Sequence, residues 1–164
     1  MIEYYPNGNI KLEYDEIDGK KHGLYKEYYE NGNMKHEINF VNGIKQGLCC
    51  TYREDGKCIV RANFANDKMS GEHKEVVEDP EPSLVVSTMV DGLRQGFCEQ
   101  YAFDGRPIAR CNYRNGELHG NCFNWVYENS KRKLQCMTFQ NGEIIGPVVN
   151  LILPTDRKTL FDFL

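Results

Sequence analysis

The chain predicts an all-β fold: an elongated, twisted and curled single antiparallel β-meander of about six hairpin repeats, with a short C-terminal tail or helix. Two observations predict it. Glycines return at near-constant intervals, since Gly23, Gly47, Gly71, Gly96, Gly120 and Gly146 are separated by 24, 24, 25, 24 and 26 residues. Between them, apolar and polar residues alternate, and Asn-Gly pairs punctuate the runs. A fixed period of this size marks a repeat architecture and outranks local propensity. Strict alternation marks strands with one apolar face.

The stretch Gly23 to Gly47 shows one whole unit. An aromatic-rich run leads to Asn31-Gly32, and an alternating run leads to Asn42-Gly43. Both pairs are expected to be hairpin turns in which both residues adopt positive φ. A second glycine stands four residues before most closing ones, at Gly19, Gly43, Gly92, Gly116 and Gly142, and Asp67 takes that place before Gly71. Gly8, Gly32, Gly56 and Gly105 complete the set of structural turn glycines.

The first unit starts inside the repeat, because Tyr4-Tyr5-Pro6-Asn7-Gly8 aligns with Tyr28-Tyr29-Glu30-Asn31-Gly32. Its first strand is therefore short, and the sheet edge there is open to pairing. The second strand of each hairpin alternates cleanly: Ile10, Leu12 and Tyr14; Met34, His36, Ile38 and Phe40; Cys58, Val60, Ala62 and Phe64; Pro107, Ala109, Cys111 and Tyr113. The opposite face carries charges that can pair across strands. On the first strands, Tyr28, Tyr52, Tyr101 and Trp125 share a column that Val76 fills in unit four. These rings are expected to fill the concave side of a curled sheet, since rings carry most of the area a small unit can bury. A cation- or sugar-binding row is the sharper alternative.

Two tips break the pattern. Unit four has Glu78-Asp79-Pro80-Glu81-Pro82 instead of Asn-Gly, a stiff acidic loop expected to protrude or fray. Unit six has a longer basic tip, Glu128-Asn129-Ser130-Lys131-Arg132-Lys133. Irregular tips are where binding loops of regular arrays map. Beyond Pro147, Val148 to Leu153 reads as a last strand, and Thr155 as the N-cap of a helix from Asp156 to Leu164. Residues 1–147 form the array; 148–164 form a terminal strand and capping tail, made apolar by Leu160, Phe161 and Phe163. The partner-contact candidates are therefore Glu78, Asp79, Glu81, Lys131, Arg132, Lys133, Leu160, Phe161 and Phe163.

Tyr28 to Gly32, the Asn-Gly-x-x-x-Gly of Asn42 to Gly47, and the His-Gly pairs His22-Gly23 and His119-Gly120 resemble the MORN-repeat family in its variant form. The resemblance runs from Tyr4 to about Pro147. It implies interaction and scaffolding modules, and variant arrays are numerous in large DNA viruses and occur in bacterial antitoxin-like proteins. It therefore suggests a structural or assembly component of a virus particle. The alternatives are an antitoxin-like inhibitor of a toxic partner, or a peripheral membrane module using aromatic tips and Lys131 to Lys133.

Composition narrows the classes. With 164 residues, one domain or one continuous array is expected. The formal net charge of −4 offers no basic excess for a nucleic acid. The first residues do not read as a signal peptide, and no apolar run approaches the roughly 20 residues of a membrane span. Seven cysteines without a secretion signal favour free thiols in a reducing compartment, cytoplasm or virion. Cys49, Cys98 and Cys122 share one repeat column with Tyr25 and His73, which marks it as packing. Cys49 and Cys50 adjoin on a strand and point to opposite faces, so they do not chelate together. No phosphate loop, acid/base pair or metal motif stands out. The expectation is a non-catalytic protein–protein interaction module with no cofactor.

Overall fold

The computed structural model describes residues 1–78, 81–128 and 131–153. Fourteen strands lie among them. They are β1 (Ile2–Tyr4), β2 (Ile10–Ile17), β3 (Lys20–Tyr28), β4 (Met34–Val41), β5 (Ile44–Tyr52), β6 (Cys58–Ala65) and β7 (Lys68–Val77), then β8 (Ser83–Val90), β9 (Leu93–Ala102), β10 (Pro107–Arg114), β11 (Glu117–Glu128), β12 (Lys131–Gln140), β13 (Glu143–Ile144) and β14 (Val149–Leu153). They form one open antiparallel sheet in meander order from β1 to β13, with β14 also paired to β12. At about 4.8 Å per strand the sheet runs on the order of 60 Å along its contour, about twice the length of its strands.

The two edges of this sheet use different turns. On one edge, Asn42 and Gly43 both have positive φ, 51° and 84°, and so do Asp18-Gly19, Asn66-Asp67, Asp91-Gly92, Asn115-Gly116 and Asn141-Gly142. These are two-residue turns whose twist matches that of the strands. On the other edge, Gly32 has positive φ but Asn31 does not. There the Gly32 N–H donates to the Tyr29 carbonyl at 2.9 Å, and the Tyr29 N–H to the Asn33 carbonyl at 2.8 Å. That is a type I turn closed by a glycine bulge, repeated at Gly8, Gly56 and Gly105. The expectation that Asn31-Gly32 turns like Asn42-Gly43 is thus corrected. The Asn31 side chain instead accepts the Asn33 N–H at 2.9 Å, which favours a different local geometry.

The closing glycines explain the period. Between β4 and β5 the register jumps from Ile38 opposite Cys49 to Phe40 opposite Lys45, so Gly47 lies in a bulge. Across its other side Gly47 faces Phe64. The bulge lets the Lys45 carbonyl accept the Asp67 N–H of the next turn at 3.1 Å. The same bond recurs from Gly43 to Lys21, Gly92 to Met69, Gly116 to Arg94 and Gly142 to Leu118, at 2.7 to 2.9 Å. Each unit is therefore bonded to the next by its turn as well as by its ladder.

The fourth hairpin does not fray on either side of its proline tip. Its ladder is unbroken from Gly71 opposite Met89 to Val77 opposite Ser83. Ser83 is fully buried, and its hydroxyl accepts a bond from the Gln100 amide at 2.9 Å. The tail reading for residues 154–164, including Leu160, Phe161 and Phe163, lies outside the described residues.

Gly47→Val is expected to cost about 1–3 kcal/mol, because φ of 81° is hostile to a β-branched residue. Asn42→Gly keeps a compatible backbone and is expected to change stability by no more than about 0.5–1 kcal/mol. Urea unfolding of both variants checks this; equal losses would remove the bulge from the account.

Candidate partner-binding site

The register sorts side chains onto two faces. One face carries the row Tyr25, Ile38, Cys49, Ala62, His73, Ser87, Cys98, Cys111, Cys122 and Met137, each opposite the next. Ala62, His73, Ser87 and Cys122 in it are buried. Near its start the Lys21 ammonium sits 4.2 Å from the Tyr25 ring centroid and 5.0 and 5.4 Å from those of Tyr14 and Phe40. The ring faces there are already occupied by a cation of the chain itself.

The other face carries the charged row Glu13, Lys26, Glu37, Cys50, Arg61 and Lys74. The column of Tyr28, Tyr52, Tyr101 and Trp125 stands beside this row and only Trp125 is buried. The Tyr28 hydroxyl donates to Glu13 at 2.7 Å and the Tyr52 hydroxyl to Glu37 at 3.3 Å. Burial, then the Glu13 carboxylate, pushes the Tyr28 hydroxyl up to about 12. The bonds from Tyr28 and Lys26 hold the Glu13 carboxyl below the usual range. The rings of Tyr28 and Tyr52 are thus half-buried and tethered to carboxylates rather than packed in an apolar interior.

Side chains lace the tip edge in the first three units. The Tyr5 hydroxyl donates to the Tyr28 carbonyl at 2.8 Å, and that of Tyr29 to the Tyr52 carbonyl at 2.9 Å. Asn7 and Asn9 donate to the Glu30 carbonyl, and Asn31 and Asn33 to that of Glu54, at 2.8 to 3.2 Å. At the third tip Arg53 replaces the tyrosine, and Asp55 and Lys57 replace the asparagines. Arg53 bonds Asp55 at 2.7 Å and forms a short ion pair with Glu78. Here a groove of about 700 Å³ opens, lined by Arg53, Cys58, Ile59, Val76, Pro82 and Phe103 among others. Phe103, on the fifth tip, is 64 % exposed. An apolar floor with an ion pair at its rim suits a peptide segment or loop of another protein.

Glu78 is therefore at the groove, tied to Arg53, and Glu81 is exposed beside it. Asp79 lies outside the described residues. Lys131, Arg132 and Lys133 are not tip residues, a correction to the expected basic loop. They open β12, opposite Glu128, Tyr127 and Val126, because the extra length of unit six lengthens its ladder. Lys133 is paired with Glu128 at 2.7 Å, so the cluster is partly neutralised. It borders a second groove of about 430 Å³ with Val126, Gln135, Leu151 and Ile152. Among the described residues, no group of three or more His, Cys, Asp or Glu is placed to hold a metal ion. Among these residues no helix is long and apolar enough to cross a membrane.

Sequence reading missed Phe103, Ile59 and the exposed Ile144, Ile145, Val148 and Ile152 near the last strands. Phe103 was legible: it occupies the turn column filled by Glu30 and Glu54, where a large ring has no turn role. The free-thiol expectation is also corrected, since Cys111 and Cys122, opposite each other on β10 and β11, form a disulfide. Register brings the two sulfurs together although they belong to different repeat columns.

Residues 1–15 and 21–42 match the family model of the MORN repeat variant. The N-terminal part of the chain is thus similar to MORN-variant repeats. The match covers the first two hairpins, and the later ones keep the same bulge glycines and turn bonds. No curated protein matches the chain. MORN repeats are generally non-catalytic modules for protein or membrane interaction. That agrees with an array whose distinctive feature is a groove between tips.

Burial lowers the affinity of His36 and His73 for protons. Their folded pKa values lie below those of the unfolded chain, so the unfolded state binds more protons in between. Their stability contribution is full above about pH 6.5 and falls as pH drops from there through the folded values. The Tm is therefore expected to fall between pH 7.5 and 5.5. His73→Gln is expected to flatten part of that slope; an unchanged slope would show that His73 is not the source.

Proposed function

We propose that this MORN-variant array is a non-catalytic scaffold that binds a partner protein through the tip edge, centred on the groove between Arg53 and Phe103. The observation carrying this reading is the interruption of the tip lacing at that point. Units one to three close their tips against one another, whereas Arg53 and Glu78 hold the rim of a groove with an exposed ring on its far wall. Exposed aromatic anchors beside a charged rim are typical centres of binding energy. The finer reading is a structural or assembly component of a large DNA virus particle. It rests on the resemblance of the repeats and on an array with one long edge available for neighbouring subunits.

A photo-crosslinking residue at position 103 is expected to capture a defined protein neighbour in the native assembly. The same residue at position 91, on the opposite edge, is expected not to capture it. Phe103→Ala is expected to weaken that association by about 30-fold, the equivalent of about 2 kcal/mol. Capture at position 91 alone would reject the tip-edge reading. Recovery of the neighbour with purified particles tests the virion reading separately.

A further inference from the structure

Three cysteines stand in register on adjacent strands. Cys98 on β9 faces Cys111 on β10, and Cys111 faces Cys122 on β11. Cys111 and Cys122 are bonded, with Cα atoms 4.0 Å apart; Cys98 is a free, half-buried thiol. In an antiparallel sheet, a residue hydrogen-bonded to one neighbouring strand makes the closer, non-hydrogen-bonded pair with the other. The short Cys111–Cys122 spacing identifies the close pair. Cys98 and Cys111 are then the wide pair, with Cα atoms about 5.5 Å apart. That distance is near the commonest value for disulfides. Cys111 thus has a disulfide partner within reach on each side.

We propose that Cys98, Cys111 and Cys122 form a thiol–disulfide exchange site in which Cys98 and Cys122 compete for Cys111. The Cys98 thiol loses its proton to solvent, and the thiolate attacks the Cys111 sulfur. A Cys98–Cys111 bond forms as the Cys111–Cys122 bond breaks. Cys122 leaves as a thiolate and takes up a proton. The three-cysteine site keeps one disulfide and one thiol, so no oxidant or reductant is consumed. The order of the three sulfurs across the strands places attacker and leaving group on opposite sides of the central one. Burial raises the Cys98 thiol, so exchange is slow near neutrality and accelerates in alkali.

The exchange moves a staple from one strand pair to the neighbouring one. The Cys111–Cys122 bond closes the strand pair joined by the Asn115-Gly116 turn. The Cys98–Cys111 bond closes the hairpin whose tip carries Phe103.

Trypsin cleavage after Arg110 and Arg114 separates the three cysteines into different peptides, so non-reducing mass mapping identifies the bonded pair. Protein held at pH 8.5 in a glutathione buffer, then acid-quenched and alkylated, is expected to contain both pairs. Cys98→Ser is expected to retain only Cys111–Cys122, and Cys122→Ser only Cys98–Cys111. The exchange rate is expected to rise about tenfold per pH unit below the Cys98 pKa, as the thiolate fraction does. Absence of the Cys98–Cys111 pair from the unsubstituted protein would overturn the proposal, whether or not either variant folds. So would its appearance only between two chains, detected as a cross-linked dimer.

Discussion

The array depends on one backbone constraint: the closing glycine must sit at positive φ inside a bulge. The bulge frees a carbonyl such as that of Lys21, and the next turn donates Gly43 N–H to it at 2.7 Å. An ordinary strand residue in that conformation would be strained. Without the bulge, the carbonyl would stay in the ladder and successive turns would not bond. Among the described residues no second layer covers the faces of the sheet, and only ten side chains are buried. Cohesion therefore comes from backbone pairing between neighbours, as in other one-dimensional arrays.

The period was legible because this constraint falls on a residue type that can be counted. Gly71 closes a unit even where Asn66-Asp67 replaces the usual pair before it, so the column survives loss of its neighbour. The difference between the two kinds of Asn-Gly turn was not legible. Asn31-Gly32 and Asn42-Gly43 are the same dipeptide, and which geometry forms depends on where the flanking strands stop pairing. Register across bulges was likewise hidden. Cys49, Cys98 and Cys122 align by simple counting, but the partner of Cys122 is Cys111, which counting assigns to another column. A register shift beside Cys111 separates the two descriptions.

The candidate site was legible in part. Proline and acidic residues at Glu78 to Pro82 announced an unusual tip, and Glu78 does lie at the groove. The remaining lining comes from three different units, through Ile59, Val76 and Phe103, and no local pattern links them. The basic cluster misled for a physical reason. An insertion in a hairpin can lengthen either the loop or the ladder, and in β11 and β12 cross-strand pairing continues to Glu128 opposite Lys131. An Lys133–Glu128 pair then holds charges that loop residues would have presented to solvent.

The position of the groove follows from how the array divides its stabilising contacts. Tip lacing by Tyr29, Asn31 and Asn33 stops at the third unit, so the fourth must be held otherwise. It keeps its turn bonds, from Asp67 to Lys45 and from Gly92 to Met69. It also gains burial: Ala62, His73, Ser83, Val85, Ser87 and Met89, six of the ten buried side chains, lie on β6, β7 and β8. Apolar burial, here of Ala62, Val85 and Met89, is non-directional and tolerates an irregular tip, whereas side-chain bonds to a neighbour's carbonyl do not. The strands beneath the groove are thus among the best packed in the sheet. An opening at the tip edge there leaves the ladder intact, and the same opening between the laced first units would remove the contacts that align them.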